Sequence, residues 1–104
     1  MINGMNEDAY EVAKKGGPHK EWYKKQLELT ESQVRKAIRS FEKQIEQHQG
    51  WIRNPLTKTL DFYSFDVRRR QNLVEHHWPA DIQRHKDLIA IVRGVLREKG
   101  YGDK

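Results

Sequence analysis

Cysteine is absent from the 104-residue chain, and proline occurs only three times. The first absence removes disulfides, thiolate zinc sites, iron–sulfur clusters and cysteine nucleophiles. Any catalysis falls to His, Lys, Arg, Asp, Glu, Ser or Tyr. No apolar run approaches the ~20 residues of a membrane span, and the first residues lack the apolar stretch of a signal peptide. There is no Gly-rich phosphate loop ending in Lys-Ser or Lys-Thr, which excludes nucleotide hydrolysis of the P-loop kind. No heptad run is long enough for a coiled coil. Period-two alternation never lasts beyond a few residues, so the patterning predicts an all-α domain, a small single bundle of four to five helices.

What the chain does have is charge. Charged residues make up 34% of it and the net charge is +5. Leu, Ile, Val and Phe together account for 23 of the 104 residues, just above the ~20% level below which charged chains fail to fold. One small core is the expectation, with no apolar surface to spare. A basic balance points toward a polyanionic partner, because Lys and Arg that neutralise phosphates release counterions.

Gly and Pro divide the chain at Gly16-Gly17-Pro18, Gly50, Asn54-Pro55, Trp78-Pro79 and Gly100 to Gly102. Residues 1–15 read as an N-terminal extension or short helix, and 16–104 as the main helical domain. A second short helix is expected from Pro18 to Leu27. Thr30 and Gln33 form a capping-box pattern for a third, in which Val34, Ile38, Phe41 and Ile45 line one face. Gly50 is expected to end it with a left-handed cap. A packed loop over 51–64 precedes a helix over 66–76. The last helix is expected to start afresh at Pro79 and to bury Ile82, Ile89, Val92 and Leu96.

Three clusters carry candidate chemistry. In Gly16-Gly17-Pro18-His19-Lys20, with Trp22, Lys24 and Lys25 close behind, a diglycine enters a helix N-terminus. Its free N–H groups favour an anion, and a histidine there titrates near neutrality. The second cluster is Arg68-Arg69-Arg70 with His76-His77-Trp78; Arg69 and His76 share a helical face. Arg70 and His76 also resemble the Arg-to-His spacing of helical ribonucleases of the HEPN class. The third, His77, Asp81 and His85 at four-residue steps, has the composition of a divalent-metal site. A new helix at Pro79 would take His77 off that face, and His85 falls in the apolar stripe with Ile82 and Ile89. His48, three residues after Ile45, reads as packing.

Three phrases together resemble a known family. They are Gly16-Gly17-Pro18-His19 with Trp22 and Tyr23; Ile38-Arg39-Ser40-Phe41-Glu42-Lys43-Gln44-Ile45 continuing to His48 and Asn54-Pro55; and Trp78-Pro79-Ala80-Asp81-Ile82-Gln83-Arg84. In this order they are similar to C-terminal toxin domains of bacterial polymorphic toxins, of the contact-dependent growth inhibition and Rhs types. The resemblance covers roughly residues 16 to 97. It implies a domain secreted as the end of a large surface protein and delivered to the cytoplasm of a target bacterium. A cognate immunity protein would protect the producer. Nucleases predominate among such toxins, and the resemblance extends to small helical ones that cleave tRNA, some with elongation factor Tu as partner.

Metal-free RNA cleavage needs a base for the ribose 2′-hydroxyl, an acid for the leaving oxygen and a cation for the phosphoryl charge. No cofactor is required. The expected catalytic set is His19 and one of His76 or His77, with Arg69 or Arg70 on the phosphate. Lys20, Lys24, Lys25 and Arg68 would track the backbone, and Trp22 and Trp78 would stack unpaired bases. The alternatives are a non-enzymatic basic module binding nucleic acid or protein, and a metal-dependent nuclease built on His77, Asp81 and His85.

Overall fold

The structure is a computed structural model, described here over residues 5–101. Residues 1–4 of the N-terminal segment and Gly102 of the last break lie outside the described residues. The elements are α1 (Met5–Lys14), α2 (Lys20–Leu27), α3 (Glu31–Arg53), two 3-10 turns (Pro55–Thr57 and Phe62–Ser64), α4 (Val67–Asn72), a π turn (Leu73–His77) and α5 (Trp78–Glu98). The fold is all-α, and no strand occurs among the described residues. No described helix is long and apolar enough to cross a membrane.

Local chemistry sets most of the helix ends. The Gln33 N–H donates to Thr30 Oγ1 at 3.2 Å while the Thr30 N–H donates to Gln33 Oε1 at 2.9 Å, closing the expected capping box. The diglycine does something different from the sequence expectation. Gly16, at φ 100°, ends α1: its N–H donates to Ala13 O and that of Gly17 to Val12 O. This is a Schellman closure, so both amides are spent on carbonyls rather than left for an anion. A Cβ on Gly17 would meet Val12, so the close return of the chain requires glycine there.

Two expected boundaries shift. Helix α3 runs past Gly50 to Arg53, and the Asn54 N–H donates to Gly50 O before Pro55 stops it. A helical glycine costs ~1 kcal/mol. Here Trp51 offsets it by packing on His48 (ring centroids 4.4 Å apart) and Trp78 (5.9 Å). The second shift concerns Pro79, which starts no new helix. Val67 to Glu98 is one continuous rod in which the π turn precedes the proline. Proline lacks an N–H, and its ring crowds the carbonyl four residues back. The widened turn, with the Trp78 N–H reaching Leu73 O, accommodates both defects without a break. At 1.5 Å per residue that rod is about 48 Å long, matching the molecule's longest extent of 50 Å.

Helix α5 is buried on two sides. Toward α3 it presents Ile89, Val92 and Leu96, packed on Val34 and Ile38, with Phe41 and Ile45 half-buried beside them. Toward α1 and α2 it presents Ile91 and Val95, packed on Tyr10, Ala13 and Tyr23. Helix α1 is therefore built into the core. Glu98 clamps this end: Tyr10 and Tyr23 donate to its Oε1 at 2.8 and 2.7 Å. The bond from Tyr23 holds the carboxyl below its usual range, and burial pushes both phenols up. Lys99 Nζ donates to the carbonyls of Leu27 and Leu29, capping the end of α2.

Candidate functional site

The opposite end of α5 meets the last turns of α3 and the loop that follows. There, one carboxylate collects three cationic or titratable neighbours. Asp81 Oδ2 lies 3.5 Å from His48 Nε2 and 3.7 Å from His77 Nε2, and its Oδ1 lies 3.4 Å from the Arg84 guanidinium. The helix rule explains two of these contacts, since positions 77, 81 and 84 share one face at i, i+4 and i+7. Because the π turn keeps the rod continuous, His77 stays on that face, contrary to the expectation from Pro79. His48 arrives from α3.

Burial separates the roles of these histidines. His48 is 7% exposed and its Nδ1 lies 2.8 Å from Gln44 O, so that nitrogen carries the proton. His85 is equally buried, and its Nδ1 donates to Asp81 O at 2.9 Å. Burial holds the His85 imidazole below the ordinary histidine range, against the pull of that hydrogen bond; Arg84 and His48 act with burial. Its ring lies among Phe41 and His48. Both are packed histidines, as their place in apolar stripes implies. His77 differs: its side chain is 59% exposed while Asp81 is 22% exposed. This pair therefore presents a solvent-facing imidazole backed by a sheltered carboxylate.

The metal alternative finds little geometry. One His85 nitrogen is bonded to a backbone carbonyl, and among the described residues no group of three or more His, Asp or Glu is placed to hold a metal ion.

The remaining expected site residues are scattered. His19 is exposed, caps α2 and adopts the left-handed conformation at φ 69°, the only described non-glycine residue to do so. Its side chain makes no hydrogen bond, ion pair or ring contact among the described residues, and neither does that of the exposed His76. The two clusters are therefore not joined. Helix α2 is fastened near Glu98, about 30 Å along the rod from His77. Lys20, Lys24, Lys25 and Arg68 are exposed. Arg69 stacks on Phe65 at 3.8 Å, and Arg70 lies 5.8 Å from the Tyr63 ring centre.

Trp78 requires correction. It is 3% exposed, stacked on Phe62 and packed against Trp51, so its face is closed to a nucleobase. Trp22 is half-buried between the two core clusters and against Phe41. Sequence reasoning grouped His77 with Asp81 only as metal ligands and took His48 as packing; it missed that His48 and Arg84 converge with His77 on the Asp81 carboxylate. The four-residue step from His77 to Asp81 was the available signal. Comparison of the chain with protein-family models, curated proteins and solved structures finds no match.

Proposed function

We propose that this domain is an antibacterial ribonuclease toxin that cleaves tRNA without a metal and is restrained by a cognate immunity protein. The observation that carries the reading is the exposed His77 imidazole facing the sheltered Asp81 carboxylate at 3.7 Å. His77 takes the proton of a ribose 2′-hydroxyl as its oxygen attacks the adjacent phosphorus. A 2′,3′-cyclic phosphate forms, and the 5′-oxygen leaves with a proton from a second acid. Asp81 orients the ring and faces the charge it gains, as the carboxylate of a catalytic triad does. His76, exposed on the same π turn, is the candidate for the acid, since His19 lies toward the far end of the rod. Arg69, exposed on α4, is the candidate for the phosphoryl charge.

The net charge of +5 supports a polyanionic substrate, and the resemblance of the three phrases to polymorphic toxins motivates the biological setting. In that setting the immunity protein is acidic and covers Lys24, Lys25 and Arg68 to Arg70, competing with RNA for the same charge. Delivery to a target cytoplasm and use of elongation factor Tu belong to the same reading.

The test is incubation of the purified domain with total bacterial RNA, with and without EDTA and cell extract. Discrete tRNA fragments bearing cyclic phosphate ends, undiminished by EDTA, are the expected result. Intact RNA in the presence of extract overturns the proposal. Cleavage that EDTA abolishes moves it to the metal-dependent alternative.

A further inference from the structure

Beyond the Asp81 cluster, the end of α3, the 55–64 loop and the α4–π segment enclose a cleft of about 370 Å³. That lies within the ordinary range for small-ligand sites. Its lining is largely apolar and partly aromatic, with Phe62 and Tyr63 from the loop, Val67 from α4 and Val74 from the π turn. Tyr63 is 60% exposed and Val67 52%, so the mouth is open.

Three charged side chains line the same space: Arg53, Arg70 and Glu75. None makes an ion pair or a side-chain hydrogen bond among the described residues. Arg70 and Glu75 share the cleft without pairing with each other. The Arg70 Nε–H is fully buried and has no acceptor, an arrangement that folding alone disfavours. A guanidinium without a hydrogen-bonded partner, a free carboxylate and the exposed Tyr63 ring together describe the complement of one kind of molecule.

That molecule is planar, with paired acceptors on one edge and paired donors on the next. We infer that the cleft seats a guanine base of RNA. Guanine offers O6 and N7 to an arginine fork, the commonest specific arginine–base contact, and its N1–H and N2–H₂ donors suit a carboxylate. Adenine has no such pair of acceptors, and uracil has only one ring N–H. The exposed Tyr63 ring supplies the aromatic surface for the base plane, and Arg53, which lines the same cleft, is free for the attached phosphate. The inference rests on the ribonuclease reading and deepens it. Glu75 belongs to the same π turn as His76 and His77, so a base bound there would fix which phosphate lies near the imidazoles.

The experiment titrates the intact protein with guanosine, adenosine and uridine 5′-monophosphates and with inorganic phosphate, following the Arg70 Nε–H resonance and tryptophan fluorescence. The guanosine nucleotide is expected to bind about tenfold or more tighter than the others and to shift the Arg70 signal. Arg70→Lys, which keeps the charge but loses the fork, should weaken it about tenfold, and Glu75→Gln should erase the preference over adenosine. Circular dichroism checks that both variants fold. Equal binding of all nucleotides, equal competition by inorganic phosphate, or an unchanged affinity in Arg70→Lys overturns the inference. The two readings fail separately. A guanine-selective cleft in a protein that leaves RNA intact sinks only the nuclease. Cleavage after every base alike, unaltered by Glu75→Gln, sinks only the guanine seat.

Discussion

His48 on α3 and Asp81 on α5 meet at 3.5 Å, and the same carboxylate oxygen faces His77 at 3.7 Å. One acid therefore ties the two longest helical segments together and backs an exposed imidazole. Its inner neighbour is buried and its outer neighbour faces solvent.

Substitutions should separate those two duties. His77→Ala should lower RNA cleavage by about 10²–10⁴-fold with little change in melting temperature, because the ring is largely in solvent. His48→Ala should cost about 1–3 kcal/mol of stability, since it removes a buried ring packed on Trp51 and His85 and leaves the inner side of Asp81 without a partner. A His77→Ala variant that cleaves at the wild-type rate removes this residue from the proposed mechanism. For His19 the informative variant is His19→Asn, because asparagine tolerates the left-handed backbone and alanine does not.

Gly94 faces the ring of Tyr10, and an added Cβ would collide with it. Helix propensity alone favours alanine over glycine by ~1 kcal/mol. Gly94→Ala is nevertheless expected to destabilise the domain by about 1–3 kcal/mol, through overpacking. Denaturant unfolding decides the sign; a stabilised variant would show that α1 is not seated on α5 as described.

Stability should also fall on acidification in two windows. The folded pKa of His85 is depressed below 6.5 by burial, so the unfolded chain takes up a proton first. The stability this residue contributes is complete above pH 6.5 and declines as the pH falls through the folded value. Glu98, depressed below 4.5 by the Tyr23 hydrogen bond, adds a second loss at lower pH. Melting temperatures measured between about pH 7 and pH 5 should drop for the native protein and stay flatter for His85→Gln. Parallel curves for the two proteins contradict the assignment.

The two core stripes are not equally buried. Leu96 is fully buried, whereas Phe41 is half-buried against Trp22 and His85. Leu96→Ala should cost about 2–5 kcal/mol, and Phe41→Ala less than its size suggests, because part of its ring already meets water. Equilibrium unfolding of both variants gives the ranking directly.

The patterning of this chain determined its helices, because capping residues and apolar spacing act within a few residues of one another. Thr30 with Gln33 and the stripes of α3 and α5 were legible for that reason. So was the packed character of His48 and His85, which stand at apolar positions. Other outcomes depended on partners distant in sequence. Whether Gly50 ended a helix turned on Trp51 finding Trp78. Whether Pro79 broke one turned on a π turn that no local spacing announces. The diglycine closed α1 rather than opening an anion site, since the amides of Gly16 and Gly17 found carbonyls behind them. The cluster around Asp81 and the cleft around Arg70 arise only when α3, the loop and the final rod meet, because side-chain convergence is a property of the packed chain.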